Sequence, residues 1–138
     1  MKRLIASILL SGFLCAPSFA AEEEVDYVAL AALLMRDGET ERAADALANV
    51  DTRAEGIDLI QYHTVRGLIA LEQQSLQVAA EAFDAAIVAG QTDPLIHLYR
   101  AQALFGLERY ADAVAALDAA GSAVDGLSGA WLLRAHAR

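Results

Sequence analysis

Cysteine is nearly absent from this sequence, since the only one is Cys15, close to the N-terminus. The chain beyond it can form no internal disulfide, so packing alone must hold the folded part together. Aromatic residues are also few, at 7% of the chain, whereas alanine is abundant. This composition favours helices that approach each other closely over a thick globular core.

Basic residues are scarce as well. The chain has 10 lysines and arginines against 19 aspartates and glutamates, and its formal net charge is −9. Such a negative surface repels phosphate backbones and anionic lipid headgroups. We therefore expect no nucleic-acid partner and no peripheral membrane binding, and we expect partners that are neutral, apolar or basic.

The first 20 residues have the pattern of a cleaved signal peptide. Lys2 and Arg3 precede an apolar stretch at 4–14, and Pro17 precedes the small-x-small tripeptide at 18–20. Cleavage after residue 20 would leave a mature domain at 21–138 with a formal charge of −11, because Lys2 and Arg3 are lost. The pattern predicts export across the inner membrane to the periplasm.

Two other interpretations of this segment fit the residues less well. An uncleaved membrane anchor needs about 20 apolar residues, and Pro17 and Ser18 interrupt the apolar run too early. Attachment of a lipid to Cys15 requires a small residue just before it, and Leu14 is not small. No later run is long enough to cross a bilayer, so we expect no membrane span after signal cleavage.

Apolar residues follow helical spacing through nearly the whole remaining chain, and no stretch alternates with strand period for long. Asp93 followed by Pro94 predicts a helix start, and Gly90 predicts the end of the preceding helix. The glycine- and serine-rich segment 121–129 is typical of a turn. We predict three helix hairpins plus one extra helix, with helices at 24–36, 39–50, 55–72, 75–89, 94–106, 109–120 and from 129 to the end.

Many residues recur at one fixed interval of 34 positions. A constant period between 20 and 50 residues indicates one structural unit copied along the chain, which buries its apolar face only by stacking on its neighbours. The recurring sets are Gly67 and Ala101; Ala79 and Ala113; Ala86 and Ala120; Phe83 and Leu117; His63, His97 and Trp131; and Arg66, Arg100 and Arg134.

The pattern resembles the tetratricopeptide repeat, a 34-residue helix hairpin with small residues at its eighth, twentieth and twenty-seventh positions. The clearest copy is 94–127, with the stretch GLERYADAV at 106–114; 60–93 precedes it, 24–59 is a looser copy, and 128–138 is a partial one. The resemblance covers essentially the whole mature chain. It implies an all-α fold, a right-handed superhelical solenoid of antiparallel helix hairpins.

The sequence departs from the family pattern in two places. Arg66, Arg100 and Arg134 stand at a position where the family usually has leucine. The last copy contains one helix only, and its residues at 131–133 are all apolar. Either a partner or a second copy covers this helix, or the chain is the N-terminal part of a longer repeat array, which is the interpretation we favour.

In the tetratricopeptide family the first helices of successive hairpins line a concave groove that binds an extended or helical peptide. Some members clamp a peptide's terminal carboxylate with lysine and asparagine, but Val28, Ala32, Leu98 and Gln102 stand at the corresponding positions here, so the resemblance implies a mostly apolar peptide. Some of these residues could instead pack between hairpins. The implied groove residues are Val28, Ala32, Met35, Arg36, Gln61, Thr64, Leu68, Leu71, Glu72, Leu95, Leu98, Gln102, Phe105, Leu132 and His136.

Residues typical of catalysis are not arranged for it in this sequence. His63 and His97 lie one period apart, but no cysteine or carboxylate accompanies them at ligand spacing, so packing explains them better than a metal site. No nucleophile elbow or phosphate-binding glycine loop occurs. We expect no enzyme activity, metal or cofactor, and instead an exported protein-interaction module or adaptor of the bacterial cell envelope. The alternatives are a self-associating structural repeat protein or the N-terminal repeat part of a longer envelope protein.

Overall fold

The computed structural model describes residues 23–136, and within this range the chain is helical and has no β-strand. The all-α prediction is therefore confirmed. The predicted signal peptide at 1–20 lies outside the described residues. The helices are α1 (Tyr27–Arg36), α2 (Thr40–Ala48), α3 (Leu59–Glu72), α4 (Leu76–Ala89), α5 (Leu95–Gly106), α6 (Tyr110–Ala120), a 3₁₀ helix (Gly121–Val124) and α7 (Ser128–His136).

Aspartate side chains begin three of these helices. The Asp26 carboxylate accepts hydrogen bonds from the backbone N–H groups of Val28 and Ala29 at 3.1 and 3.0 Å. Asp58 caps α3 in the same way, and the Asp93 carboxylate accepts from the N–H of Leu95 at 3.0 Å. Each carboxylate satisfies donors that have no partner within the helix. The predicted start at Asp93 is confirmed.

Three-residue turns at 37–39, 73–75 and 107–109 connect the two helices of each pair. The middle residue of each turn is left-handed, with φ of 79° at Gly38, 59° at Gln74 and 61° at Glu108. The next N–H reaches back to a carbonyl in the last turn of the first helix, as in the bond from Ser75 to Ala70 at 2.8 Å. This arrangement ends a helix and reverses the chain within one turn.

Neighbouring helices pack in sequence order. The pairs α1 and α2, α3 and α4, and α5 and α6 contact each other most, and α4 also packs against α5. The first helices of the pairs form a row of their own, because α1 contacts α3, α3 contacts α5, and α5 contacts α7. Large buried side chains such as Phe83, Leu104 and Leu117 fill the space between helices that meet at alanines.

Gly67 lies where α3 and α4 cross. A Cβ atom added to Gly67 would be within 3.0 Å of three ring atoms of Phe83, which is closer than real Cβ atoms approach. The equivalent residue of the next copy, Ala101, is also fully buried. The small residues of the 34-residue pattern therefore stand at helix contacts.

The segment after α6 differs from the prediction. Its glycines and serines predict a turn, whereas residues Gly121–Val124 form a 3₁₀ helix. Gly121 leaves the helical conformation with a φ of 65°, which ends α6. The Val124 side chain is completely buried in the core, and this burial holds the segment against the body of the protein.

Candidate peptide-binding groove

A cavity of about 380 Å³ lies on the row of first helices formed by α1, α3 and α5. We call it the groove. Its floor is mostly apolar, and its lining residues are Ala32, Met35, Arg36, Val65, Leu68, Leu71, Glu72, Tyr99 and Gln102.

Helical spacing explains why α3 contributes more of the lining than α1 or α5 does. Val65, Leu68 and Glu72 follow each other at steps of three and four residues, so they lie on one side of the helix. The opposite side of α3 faces α4, where Gly67 permits close approach. Along this side, Val65 is buried at the bottom of the groove, whereas Leu68 is partly exposed and Glu72 is exposed.

The groove residues hold equivalent positions in successive repeat copies. Ala32 and Leu68 are 36 residues apart because the first copy is longer by two, and Leu68 and Gln102 are 34 apart. Met35 and Leu71 are also 36 apart, as are Arg36 and Glu72. One face is thus repeated from helix to helix, which is how an extended binding surface is built from copies of a unit.

The structure brings together five of the predicted partner-binding residues, namely Met35, Arg36, Leu68, Leu71 and Gln102, and adds Ala32 and Glu72 from the wider predicted set. Arg36 and Glu72 are exposed and opposite in charge. The lining therefore has no strong net charge of its own, and the apolar side chains dominate what a ligand would meet.

Four predicted residues at one repeat position lie outside the groove. Val28 and Leu98 expose only 2% and 6% of their surface and belong to the core. The Thr64 hydroxyl donates to the carbonyl of Ile60 at 2.7 Å and accepts from Gln91 at 3.1 Å. Leu132, at the same position in α7, is 60% exposed. In α1, α3 and α5 this position faces neighbouring elements, so these side chains do not join the groove.

The remaining predicted residues are spread along the edges of the row. Phe105 packs edge-to-face against Tyr110 and His136, with ring centroids 5.2 and 6.2 Å away. Gln61 and Leu95 lie in the first turns of α3 and α5. None of them lines the groove as the structure describes it.

Two groove residues were not predicted. Val65 and Tyr99 are 34 positions apart, and both line the groove. The Tyr99 ring also stacks on Phe83 at a centroid distance of 6.0 Å, which fixes its orientation from below. The 34-residue period could have identified them, because Val65 and Tyr99 are large side chains at the same position of successive copies.

The two repeated histidines do not assemble a metal site. Among residues 23–136, no group of three histidine, cysteine, aspartate or glutamate side chains is placed to hold a metal ion. The Nδ1 atoms of His63 and His97 are both buried and make no hydrogen bond to described residues. Burial lowers the pKa of His63, and the nearby Arg66 guanidinium lowers this pKa further.

No helix among the described residues has the length and apolar character needed to cross a membrane. Comparisons of the chain with models of protein families, with curated proteins and with solved structures found no match.

Proposed function

We propose that this protein is an exported protein-interaction module of the bacterial cell envelope, and that its groove binds a peptide segment of a partner protein. The observation that carries the proposal is the repeated apolar face on α1, α3 and α5. Three helices from three repeat copies present equivalent side chains to one cavity. A continuous face of this kind suits an extended or helical peptide with apolar side chains.

We further propose that the hairpins stack as a right-handed superhelical solenoid resembling the tetratricopeptide repeat. The ordered contacts of α1, α3, α5 and α7 support this arrangement. The same left-handed turn at Gly38, Gln74 and Glu108 supports it as well, since each hairpin reverses direction in the same manner. The handedness itself is an expectation from the family resemblance.

The preferred partner is apolar and neutral or basic. Met35, Leu68 and Leu71 offer an apolar floor, and the flexible thioether of Met35 can adapt to different side chains. The net charge of −9 attracts basic flanking residues and repels acidic ones. We assign no catalytic role or cofactor to the groove. The leader-like pattern at 1–20 supports placing the protein in the periplasm.

Crosslinking and pull-down from the cell envelope test the proposal. Leu68→Gln places an uncharged amide on the groove floor and should remove the bound partner. Val88→Gln is the matched control, because Val88 is 89% exposed and lies outside the groove. Thermal melts of both variants should establish that they remain folded. Recovery of the same partners by both variants would place the binding site elsewhere.

A second candidate function is self-association through α7. Leu132 occupies the repeat position of Val28 and Leu98, yet it remains 60% exposed where they are buried. A second copy would cover it in a homo-oligomer, and further repeats would cover it if the chain is the first part of a longer envelope protein. Light scattering over a range of concentrations tests the oligomer, and a dimer that survives Leu132→Glu would not use this face.

A further inference from the structure

The repeated arginines link adjacent hairpins in two of the copies. Arg100 on α5 forms an ion pair with Asp84 on α4. Arg134 on α7 lies 3.7 Å from Asp118 on α6 and also binds Asp125. Asp84 and Asp118 are 34 residues apart, as are Arg100 and Arg134. One ion pair is thus repeated between the second helix of one hairpin and the first helix of the next.

The junction between the first copy (24–59) and the second (60–93) has the arginine without the acid. Asp84 and Asp118 occupy the same position in the second and third copies. The equivalent residue in the first copy is Ala48, the last residue of α2. Arg66 on α3 therefore has no carboxylate opposite it. Within residues 23–136, its half-buried side chain makes no ion pair and no hydrogen bond, and its charge acts on the nearby His63.

A cavity of about 240 Å³ lies at this place. Of the residues that the structure describes, Arg66 is the one charged residue that lines it, and Gln73, Ser75 and Tyr62 add polar atoms to apolar walls. It opens between α2, α3 and α4, on a different side of α3 from the groove. The full lining is Ala44, Leu47, Ala48, Tyr62, Arg66, Ile69, Ala70, Gln73, Ser75 and Val78.

We propose that this cavity binds a small aliphatic carboxylic acid, whose carboxylate pairs with Arg66 in the place that an aspartate fills in the next two copies. Arginine and carboxylate match in shape and form paired hydrogen bonds. The aliphatic tail lies on Leu47, Ile69 and Val78. The cavity is smaller than the roughly 300 to 1,000 Å³ of sites for drug-sized ligands, so the ligand has a short chain.

Butyrate is a suitable probe, with butyramide as its neutral analogue. An NMR titration at constant ionic strength should give saturating shifts for the methyl groups of Ala44, Ala48 and Val78 with butyrate. Butyramide has the same tail without the charge and should produce shifts at least tenfold weaker. Equal responses to the two compounds would overturn the proposal, because the tail alone would then account for binding.

Two substitutions at Ala48 give the decisive comparison. Ala48→Asp supplies the missing acid and should weaken butyrate binding at least tenfold, since the new carboxylate occupies Arg66. Ala48→Asn has nearly the same size without the charge and should still bind. Ala48 is exposed at the end of α2, so both variants should fold.

Arg66→Gln should abolish the shifts as well. A melting temperature higher for Ala48→Asp than for Ala48→Asn would show that the new pair forms. Equal butyrate affinity of these two variants, or full binding by Arg66→Gln, would contradict the assignment.

Discussion

Gly67 shows how one missing side-chain atom sets the separation of two helices. Its backbone lies against the Phe83 ring, and the pair is separated by 16 residues in sequence. The same separation joins Ala101 to Leu117 and Ala31 to Leu47. The large Phe83 side chain is thus paired with glycine, the smallest residue. In the other two copies, leucine is paired with alanine. In each hairpin a smaller residue on one helix compensates for a larger side chain on the other.

We expect Gly67→Ala to destabilise the protein by about 1 to 3 kcal/mol, because the added methyl group overpacks the Phe83 ring. The gain in helix propensity, about 1 kcal/mol, offsets only part of this cost. The double variant Gly67→Ala with Phe83→Leu reproduces the combination of the neighbouring copies and should regain stability. Urea unfolding measures the free energy of unfolding of the wild type, Gly67→Ala and the double variant. A double variant no more stable than Gly67→Ala alone would contradict the volume argument.

His63 provides a test of the electrostatics around Arg66. Burial is the main cause of its lowered pKa, and Arg66 is the second. Arg66→Gln should therefore raise the pKa of His63 without restoring it to the ordinary value, because the burial remains. An NMR titration of the imidazole measures the change, with Arg109→Gln as a control on the exposed surface. An unchanged pKa in Arg66→Gln would mean that the guanidinium does not act on this ring.

The same residue makes stability depend on pH. The folded protein holds His63 neutral to a lower pH than the unfolded chain, so the unfolded state binds more protons below about pH 6.5. The free energy of unfolding should therefore fall as pH drops from about 6.5 through the folded-state pKa. His63→Gln should reduce this dependence in urea titrations at several pH values. If the free energy of unfolding of His63→Gln changes with pH as steeply as that of the wild type, His63 is not the cause of the pH dependence.

At the scale of elements, the three turns within hairpins share one conformation but not one residue. Gly38 adopts the left-handed conformation without steric cost, whereas Gln74 and Glu108 have side chains that disfavour it. The shared conformation follows from the need to reverse the chain in three residues. The left-handed conformation at Gln74 and Glu108 therefore cannot be recognised from the residue types.

Gln74→Gly should stabilise the protein by up to about 1 kcal/mol, because glycine removes the strain of the left-handed conformation. Gln77→Gly, in the first turn of α4, is the control and should destabilise by a similar amount through lower helix propensity. Thermal unfolding of the two variants measures the difference. A lower melting temperature for Gln74→Gly would mean that the weak bond from its side chain to the Leu71 carbonyl matters more than strain.

Most of the helices and one helix start could be predicted from the sequence. Periodicity locates the helices to within a few residues, and the chemistry of Asp93 and Pro94 locates one start. The 3₁₀ helix at Gly121–Val124 could not be predicted, because its local composition is that of a turn, and tertiary contacts hold it in place: burial of Val124 and the pairing of Asp125 with Arg134. The groove was predicted in part, since the rotation of each helix decides whether a side chain such as Leu98 points to the core.

At the scale of the whole molecule, the ion pairs connect hairpins that otherwise meet mainly through aliphatic and aromatic side chains, as where Tyr99 stacks on Phe83. Arg134 has the most contacts of these arginines, since it binds Asp118, Asp125 and the carbonyl of Leu117. These contacts join α7 to α6 and to the segment between them. The position of the last helix thus depends on one guanidinium as well as on apolar packing.

Arg134→Gln should loosen α7 more than the rest of the protein. Partly exposed ion pairs contribute about 1 kcal/mol or less each, so global unfolding should change little. Hydrogen exchange should become faster in Ser128–His136 while amides in α3 and α4 keep their protection. Arg100→Gln, which removes the equivalent pair between α4 and α5, is the control and should leave α7 unchanged. Faster exchange throughout the molecule would contradict a local role.

The absence of an acid at Ala48 has a mechanical consequence. Later helices are joined to the preceding hairpin by an arginine and an aspartate. Among the described residues no ion pair joins the first hairpin to the second, where apolar contacts are accompanied by a hydrogen bond from the Gln73 amide to Glu41 at 3.5 Å. Tension applied to the two ends should therefore open the junction of the first hairpin with α3 before the junction of α4 with α5, because only the second junction has an ion pair to break. Under load, the N-terminal hairpin would detach from α3 while α4 and α5 remain joined.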